Sequence, residues 1–248
     1  MSTALEQQAR TALGEVFDPE LDEPITDLGF VRSLAETAPG EITAHLRLPT
    51  SFCAPNFAYL MASDAKDVLD ALPGVRAAVV RLDDHHDSDL INRGLRDDAG
   101  YVGTFGAEAE TGLAELRAVF HRKAHTAAME RVLTGMLRAD AELAEEDLHE
   151  VALADLPDDS PTRALLRRRE QLGLDTEPSS PVLVDDSGRP YPRDEVPIRL
   201  RFARSVRISM DGNAHWCRGL LRTRYPGSGA DQTPRVADPA ATPKGKAS

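Results

Sequence analysis

The start of the chain constrains the fold most, because helical and strand periodicities alternate there in a fixed order. Apolar residues recur every three or four positions in two segments, and every second position is apolar in a third. The predicted elements are a helix over 3–17, strands over 25–37 and 41–49, a helix over 56–72 and a strand over 75–82. This helix–strand–strand–helix–strand order predicts a compact α+β domain over residues 1–84.

The rest of the chain has different patterns. A long proline-free helical pattern and two shorter ones predict a helical module over residues 85–176. Between Ile198 and Met210 apolar residues alternate with arginine and serine, and the hairpin signal Asp-Gly-Asn follows. This pattern predicts a C-terminal antiparallel β-hairpin or sheet in a basic, β-rich segment, residues 177–225. Residues 226–248 have almost no large apolar side chains and are predicted to be a disordered tail.

Composition narrows the functional class. The net charge of −12 argues against a nucleic-acid partner, because phosphate binding needs a positive surface. We expect no membrane span, since no apolar run is long enough, and no secretory signal at the first residues. The two cysteines, Cys53 and Cys217, form no disulfide framework, which favours a reducing, cytoplasmic location. The motifs of nucleotide-binding loops and hydrolase nucleophiles are absent, so we do not expect a self-contained enzyme.

Cys53 is the strongest candidate for a chemical role. It stands in the segment LPTSFCAPNF, between a predicted strand and a predicted helix. A cysteine at a helix N-terminus lies where free N–H groups and the helix dipole favour the thiolate, which is a nucleophile and a metal ligand. Free cysteine is also among the most buried residue types, so a purely structural Cys53 is the alternative.

Four motifs surround Cys53 in a characteristic order. They are Asp18-Pro19-Glu20-Leu21, Asp27-Leu28-Gly29-Phe30-Val31, Thr50 with Cys53, and Gly74-Val75. In this order they resemble the SufT/PaaD-like (MIP-eighteen type) family of iron–sulfur cluster assembly proteins over residues 3–83. The resemblance implies a maturation factor for iron–sulfur or other metal centres. It would hold iron or an iron–sulfur cluster transiently, with Cys53 as the transfer or ligand thiolate.

The resemblance also implies supporting residues and partners. Thr50 and the acidic residues Asp18, Glu20 and Asp27 are candidate cluster-site groups, although such acids also form turns and helix caps. One thiol cannot hold a cluster alone, so a homodimer, a partner protein or nearby carboxylates are expected to complete the ligand set. The expected partners are the assembly machinery and a client metalloprotein, with an oxygenase as the narrower expectation.

The histidines supply a second hypothesis. The segment DDHHDSD, residues 83–89, stands where the family has a Trp-Pro segment, and it contains His85 and His86. His121 and His125 are four residues apart and share one face of a predicted helix. Imidazole and carboxylate groups suit iron and zinc, so these four histidines are candidate ligands of an inter-domain site in a metal-dependent enzyme. A solvated domain junction explains the same residues, and a non-catalytic scaffold is a third alternative.

Overall fold

The computed structural model describes residues 3–106 and 113–228, which form two compact units. The first unit contains residues 3–18, 23–100 and 217–228, and the second contains residues 19–22, 101–106 and 113–216. The predicted disordered tail lies, from residue 229 onward, outside the described residues. The four-part division inferred from the sequence stays a prediction.

The first unit begins with the predicted helix–strand–strand–helix–strand order. Its elements are α1 (Ala4–Leu13), the short strands β1 (Phe17–Asp18) and β2 (Glu23–Pro24), β3 (Val31–Ala38), β4 (Glu41–Arg47), α2 (Pro55–Asp70) and β5 (Ala77–Asp83). A capping box starts α1: the Thr3 hydroxyl accepts from the Glu6 N–H, and the Glu6 carboxylate accepts from the Thr3 N–H. The mixed α+β class predicted from the sequence is confirmed.

The main sheet has the strand order β3-β4-β5. β3 and β4 are antiparallel and joined by a tight turn, whereas β4 and β5 are parallel and joined through α2. Along β4, Ile42, Ala44 and Leu46 are buried, as their alternation predicted. Because β4 and β5 run in the same direction, the loops that follow them leave the sheet at the same edge. Those two loops carry Cys53 and His85.

Two helices, α3 (Ser88–Arg96) and α4 (Gly100–Phe105), follow β5. α3 contacts β5. Its Asn92 side chain accepts from the Leu82 N–H and donates to the Leu82 carbonyl. This pair of hydrogen bonds satisfies backbone groups on β5 that would otherwise be unpaired at the edge of the sheet.

The second unit is helical, as predicted for much of it. Its helices are α5 (Leu113–Ala139), α6 (Ser160–Leu172) and α7 (Val196–Arg224) up to residue 216, with 3₁₀ turns at Glu145–Glu150, Leu153–Asp155 and Arg193–Glu195. The last turns of α7, from residue 217 onward, belong to the first unit. One of the two shorter helices predicted within residues 85–176 is therefore only a pair of 3₁₀ turns. Leu133, Leu165, Val182 and Leu200 belong to one buried apolar cluster in this unit. No helix in the described parts of the chain combines the length and the apolarity that a membrane crossing requires.

The predicted C-terminal β-hairpin is wrong, because residues 196–224 form the single helix α7. The alternation from Ile198 to Met210 had indicated a strand, yet Ile198 and Phe202 are exposed. The buried residues of α7 instead recur at helical spacing. They are Val196, Leu200, Ala203, Met210, Ala214 and Leu221. The β-rich character predicted for residues 177–225 is corrected with it.

A buried carboxylate also favours the helical form of this segment. Glu130 of α5 is fully buried and accepts hydrogen bonds from Arg204 and Arg207 of α7. These two arginines are three residues apart, so a helix places both on one side, whereas a strand would place them on opposite faces. The tertiary contacts with Glu130 and the apolar cluster therefore outweigh the local strand-like pattern.

Candidate functional site

Cys53 lies in the loop that leaves β4 and enters α2. The Thr50 hydroxyl oxygen accepts a hydrogen bond from the Phe52 N–H at 3.2 Å and lies 3.4 Å from the Cys53 Sγ. Because the Thr50 oxygen is already an acceptor, its own hydrogen can point at the sulfur. This arrangement joins the two residues, Thr50 and Cys53, that the family resemblance singled out.

The start of α2 sets the direction of the loop. Ala54 is the N-cap residue, and its carbonyl accepts from the Phe57 and Ala58 N–H groups. Pro55 follows in the first turn, where the missing proline N–H costs nothing. Cys53 therefore lies one residue before the N-cap of α2 and is half-buried. Its position at a strand–helix junction is as predicted, and its partial exposure distinguishes it from an inert core cysteine.

The side chain of His85 forms a hydrogen bond with the backbone of the Cys53 loop. Its side chain is 1% exposed, and its Nε2–H donates to the Cys53 carbonyl at 2.7 Å. Its Nδ1 accepts from the Asp87 N–H at 3.1 Å. The ring is thus engaged as a neutral imidazole with its proton on Nε2, assigned from this hydrogen-bond network. Both nitrogens are occupied, so His85 has no lone pair left for the metal site that the sequence suggested.

His86 lies beside the same loop but faces solvent. Its N–H donates to the Ser51 carbonyl at 2.9 Å. Its ring stacks on Phe52, with 5.8 Å between the ring centroids. The Phe52 side chain is itself 79% exposed, which is unusual for a large aromatic residue. The structure therefore brings Thr50, Cys53, His85 and His86 together, with an exposed aromatic side chain next to the thiol.

The predicted acidic residues occupy several environments. Asp18 is buried on β1, and Asp27 is half-buried in the turns before β3. Glu20 lies in residues 19–22, which belong to the second unit. Across residues 3–106 and 113–228, no three His, Cys, Asp or Glu side chains form a group that could hold a metal ion. A preformed ligand set around Cys53 is therefore not part of the described structure.

His121 and His125 lie one turn apart on α5 of the second unit. Burial lowers the pKa of His125 to about 4, and the charges of Arg169 and Arg168 act in the same direction. Its Nε2 has no hydrogen-bond partner within the described chain. Burial likewise lowers the pKa of His121, as does the nearby Arg117. The charges of Arg168 and Arg169 disfavour a cation beside the buried His125, which is best explained as a core histidine.

Sequence reasoning missed the end of α7. Arg224 donates to the Leu48 carbonyl at 3.1 Å and to the Asp84 carbonyl. The Tyr225 hydroxyl donates to the Asp84 carboxylate at 3.0 Å, and burial with this hydrogen bond raises the pKa of Tyr225. The Arg47 guanidinium lies over the Tyr225 ring, 5.2 Å from its centroid. These partners are far apart in the chain, and no local pattern in the sequence signals them.

Comparison with known proteins gives a match for the N-terminal part of the chain. Residues 6–80 match the model of a family described as iron-sulfur cluster assembly protein. The family resemblance is confirmed for this part of the chain. Over 74 residues the chain is 39% identical to proteins named iron-sulfur cluster carrier protein in Mycobacterium bovis and Mycobacterium tuberculosis.

Some residues of the site lie inside the matched part of the chain and others lie outside it. The alignment covers 30% of this chain and 19% of each relative, so the chain spans about a fifth of the length of these curated relatives. The match to the family model includes Thr50 and Cys53 and ends inside β5. His85, Arg224 and Tyr225 lie beyond it. The side chains that contact the Cys53 loop from these positions thus lie outside the matched residues.

Proposed function

We propose that this chain is an iron–sulfur cluster maturation factor that uses Cys53 to receive iron or a cluster and pass it to a client metalloprotein. The observation that carries the proposal is the position of Cys53. Its half-exposed thiol lies 3.4 Å from the Thr50 hydroxyl, in a loop of the domain that matches the assembly family. The iron or cluster is cargo in this proposal, held transiently.

A lone thiol favours transfer over storage. Iron–sulfur clusters are normally held by several thiolates, and Cys53 supplies one. The remaining ligands would come from a second copy of this chain or from the partner that gives or takes the cluster. During transfer one Fe–S bond to Cys53 breaks as a bond to the acceptor thiolate forms, with no net change in electrons. Weak, incomplete ligation keeps this exchange fast.

The residues outside the matched domain would recognise the client. The described chain continues well beyond residue 80, and the second unit forms its own apolar core. Such a module adds a specific binding surface more readily than it adds chemistry. A client oxygenase is the narrower form of the proposal, and it rests on the family resemblance alone.

Anaerobic reconstitution with iron and sulfide tests the role of Cys53. The wild-type chain, Cys53→Ser and Cys217→Ser are compared, because Cys217 is the other cysteine of the sequence and is also half-buried. We expect cluster absorbance and bound iron and sulfide in the wild type and in Cys217→Ser, and a loss of most of both in Cys53→Ser. Equal uptake by Cys53→Ser would show that Cys53 is not a ligand.

Transfer is tested with the loaded protein and an apo-ferredoxin as acceptor. We expect the ferredoxin spectrum to develop faster than from iron and sulfide alone, and an iron chelator to intercept less iron than it takes from free iron. Sedimentation of the loaded protein measures whether two chains share one cluster. A monomer that keeps its cluster indefinitely in the presence of the acceptor would contradict transfer.

A further inference from the structure

The contacts of His85 extend from Cys53 to the end of α7. On one side, the imidazole Nε2–H holds the Cys53 carbonyl at 2.7 Å. On the other side, the preceding residue Asp84 has a positive φ of 55°, a conformation that a residue with a side chain rarely adopts. Arg224 and Tyr225 bind the carbonyl and the carboxylate of Asp84. Four residues in contact thus connect α7 to the thiol-bearing loop.

The same α7 residue also reaches the other end of the Cys53 loop. Arg224 donates to the Leu48 carbonyl, two residues before Thr50. One guanidinium therefore links the chain just after β4 to the chain just after β5. With the His86 N–H bound to the Ser51 carbonyl, the loop is held at residues 48, 51 and 53. These contacts come from residues beyond the family match.

We propose that His85 is a positioning residue for the Cys53 thiol, and that Arg224 and Tyr225 hold the loop that carries His85. The proposal rests on the function proposed for Cys53. The Cys53 carbonyl carbon is bonded to the Cα that carries the thiol side chain. A hydrogen bond to this carbonyl therefore limits rotation of the backbone at Cys53. The buried His85 side chain also packs against the loop. A loop fixed in this way keeps the Cys53 thiol in the orientation in which it would bind the cluster.

The test uses the full chain in a Cys217→Ser background, where Cys53 is the only thiol. His85→Leu removes the donor to the Cys53 carbonyl, whereas His85→Gln keeps an N–H at a similar reach. His45→Gln is the matched control, because its ring pairs with Asp83 in the same unit. Three quantities are measured for each variant: the alkylation rate of Cys53 by iodoacetamide, hydrogen exchange in peptides covering residues 50–57, and iron bound after reconstitution.

We expect His85→Leu to raise the alkylation rate and the exchange of residues 50–57 by roughly 2- to 10-fold, the effect of losing one ordinary hydrogen bond. Bound iron should fall, and the visible circular dichroism of the remaining cluster should change shape. His85→Gln should restore all of these, and His45→Gln should leave them at the wild-type values. Tyr225→Phe should raise the same exchange by a smaller factor.

Several results would overturn the positioning role. One is wild-type alkylation and exchange in His85→Leu, and another is a failure of His85→Gln to restore them at an unchanged melting temperature. An equal effect of His45→Gln would show that the effect of His85→Leu comes from general destabilisation of the domain. Unchanged exchange in Tyr225→Phe would remove α7 from the proposal. Alkylation and exchange need no cluster, so they test His85 even if the wild type binds no iron and the proposed function fails.

Discussion

Replacing Glu130 tests the helical form of α7 through a single buried carboxylate. Glu130 is fully buried and accepts hydrogen bonds from Arg204 at 3.2 Å, from Arg207, and from Thr134 at 2.8 Å. Removing one partner of a buried ion pair costs about 3–5 kcal/mol, because the other charge is left buried and uncompensated. Here the arginine side chains are 38% and 20% exposed, so water recovers part of that cost.

We therefore expect Glu130→Gln to lower the free energy of unfolding by about 1–2 kcal/mol and Glu130→Leu by about 3 kcal/mol. Glutamine keeps the shape and an acceptor oxygen, whereas leucine leaves both guanidinium groups without this partner. Urea unfolding followed by circular dichroism measures the change at constant m-value. Glu115→Gln, at an exposed position on the same helix, is the control and should change stability by less than about 0.5 kcal/mol.

A double-mutant cycle isolates the contact between the two helices. Glu130→Gln and Arg207→Gln should be non-additive, with a coupling free energy of about 1–2 kcal/mol. Arg207 also pairs with Asp211 at 2.8 Å, which supplies a remaining partner when Glu130 is replaced. Additive effects within about 0.5 kcal/mol would refute the contact, and with it the main argument that residues 196–224 are one helix packed on α5.

Two further predictions concern a turn and a buried histidine. Gly40→Ala should cost at least about 1 kcal/mol, because φ is +75° and a Cβ would lie 2.9 Å from the Gly74 carbonyl oxygen. Gly135→Ala, which meets nothing within 4 Å inside α5, should instead stabilise by about 0.5–1 kcal/mol; urea midpoints that move in the same direction would contradict this pair. His125, with its pKa lowered from 6.5 to about 4, binds its proton more readily in the unfolded chain. Stability should therefore fall as the pH falls from about 6.5 towards 4, by about 2 kcal/mol at pH 5 for this group. Replacing it by Phe should flatten that part of the profile, and a slope that persists in the variant would assign the pH dependence to other groups.

The first unit was predictable because its signals are local and agree with one another. The alternation of β4 places the buried residues Ile42, Ala44 and Leu46 on one face of the strand. The helical periodicity of α2 likewise places Leu69 on the buried face of that helix. The turn at Gly40 requires a positive φ, which glycine adopts without cost. Each segment thus prefers, on its own, the conformation that the sheet and its helices need.

The second unit shows where local patterns fail. The alternation from Ile198 to Met210 fits a strand, but the free energy is decided by what the segment packs against. As a helix it buries Leu200 and Met210 and brings Arg204 and Arg207 to Glu130. Glu130 is distant in sequence, so its influence on the segment cannot be read from the segment itself.

The sequence by itself determined the N-terminal α+β domain, its family resemblance and the place of Cys53 between a strand and a helix. The family resemblance also pointed to Thr50, three residues before Cys53. Only the tertiary structure decided that α7 is a helix, that His85 donates to the Cys53 carbonyl, and that Arg224 and Tyr225 hold the Asp84 loop. The physical reason is sequence separation. Residues in one loop or strand constrain each other directly, whereas the groups that hold Cys53 meet only after β4, β5 and α7 have folded together.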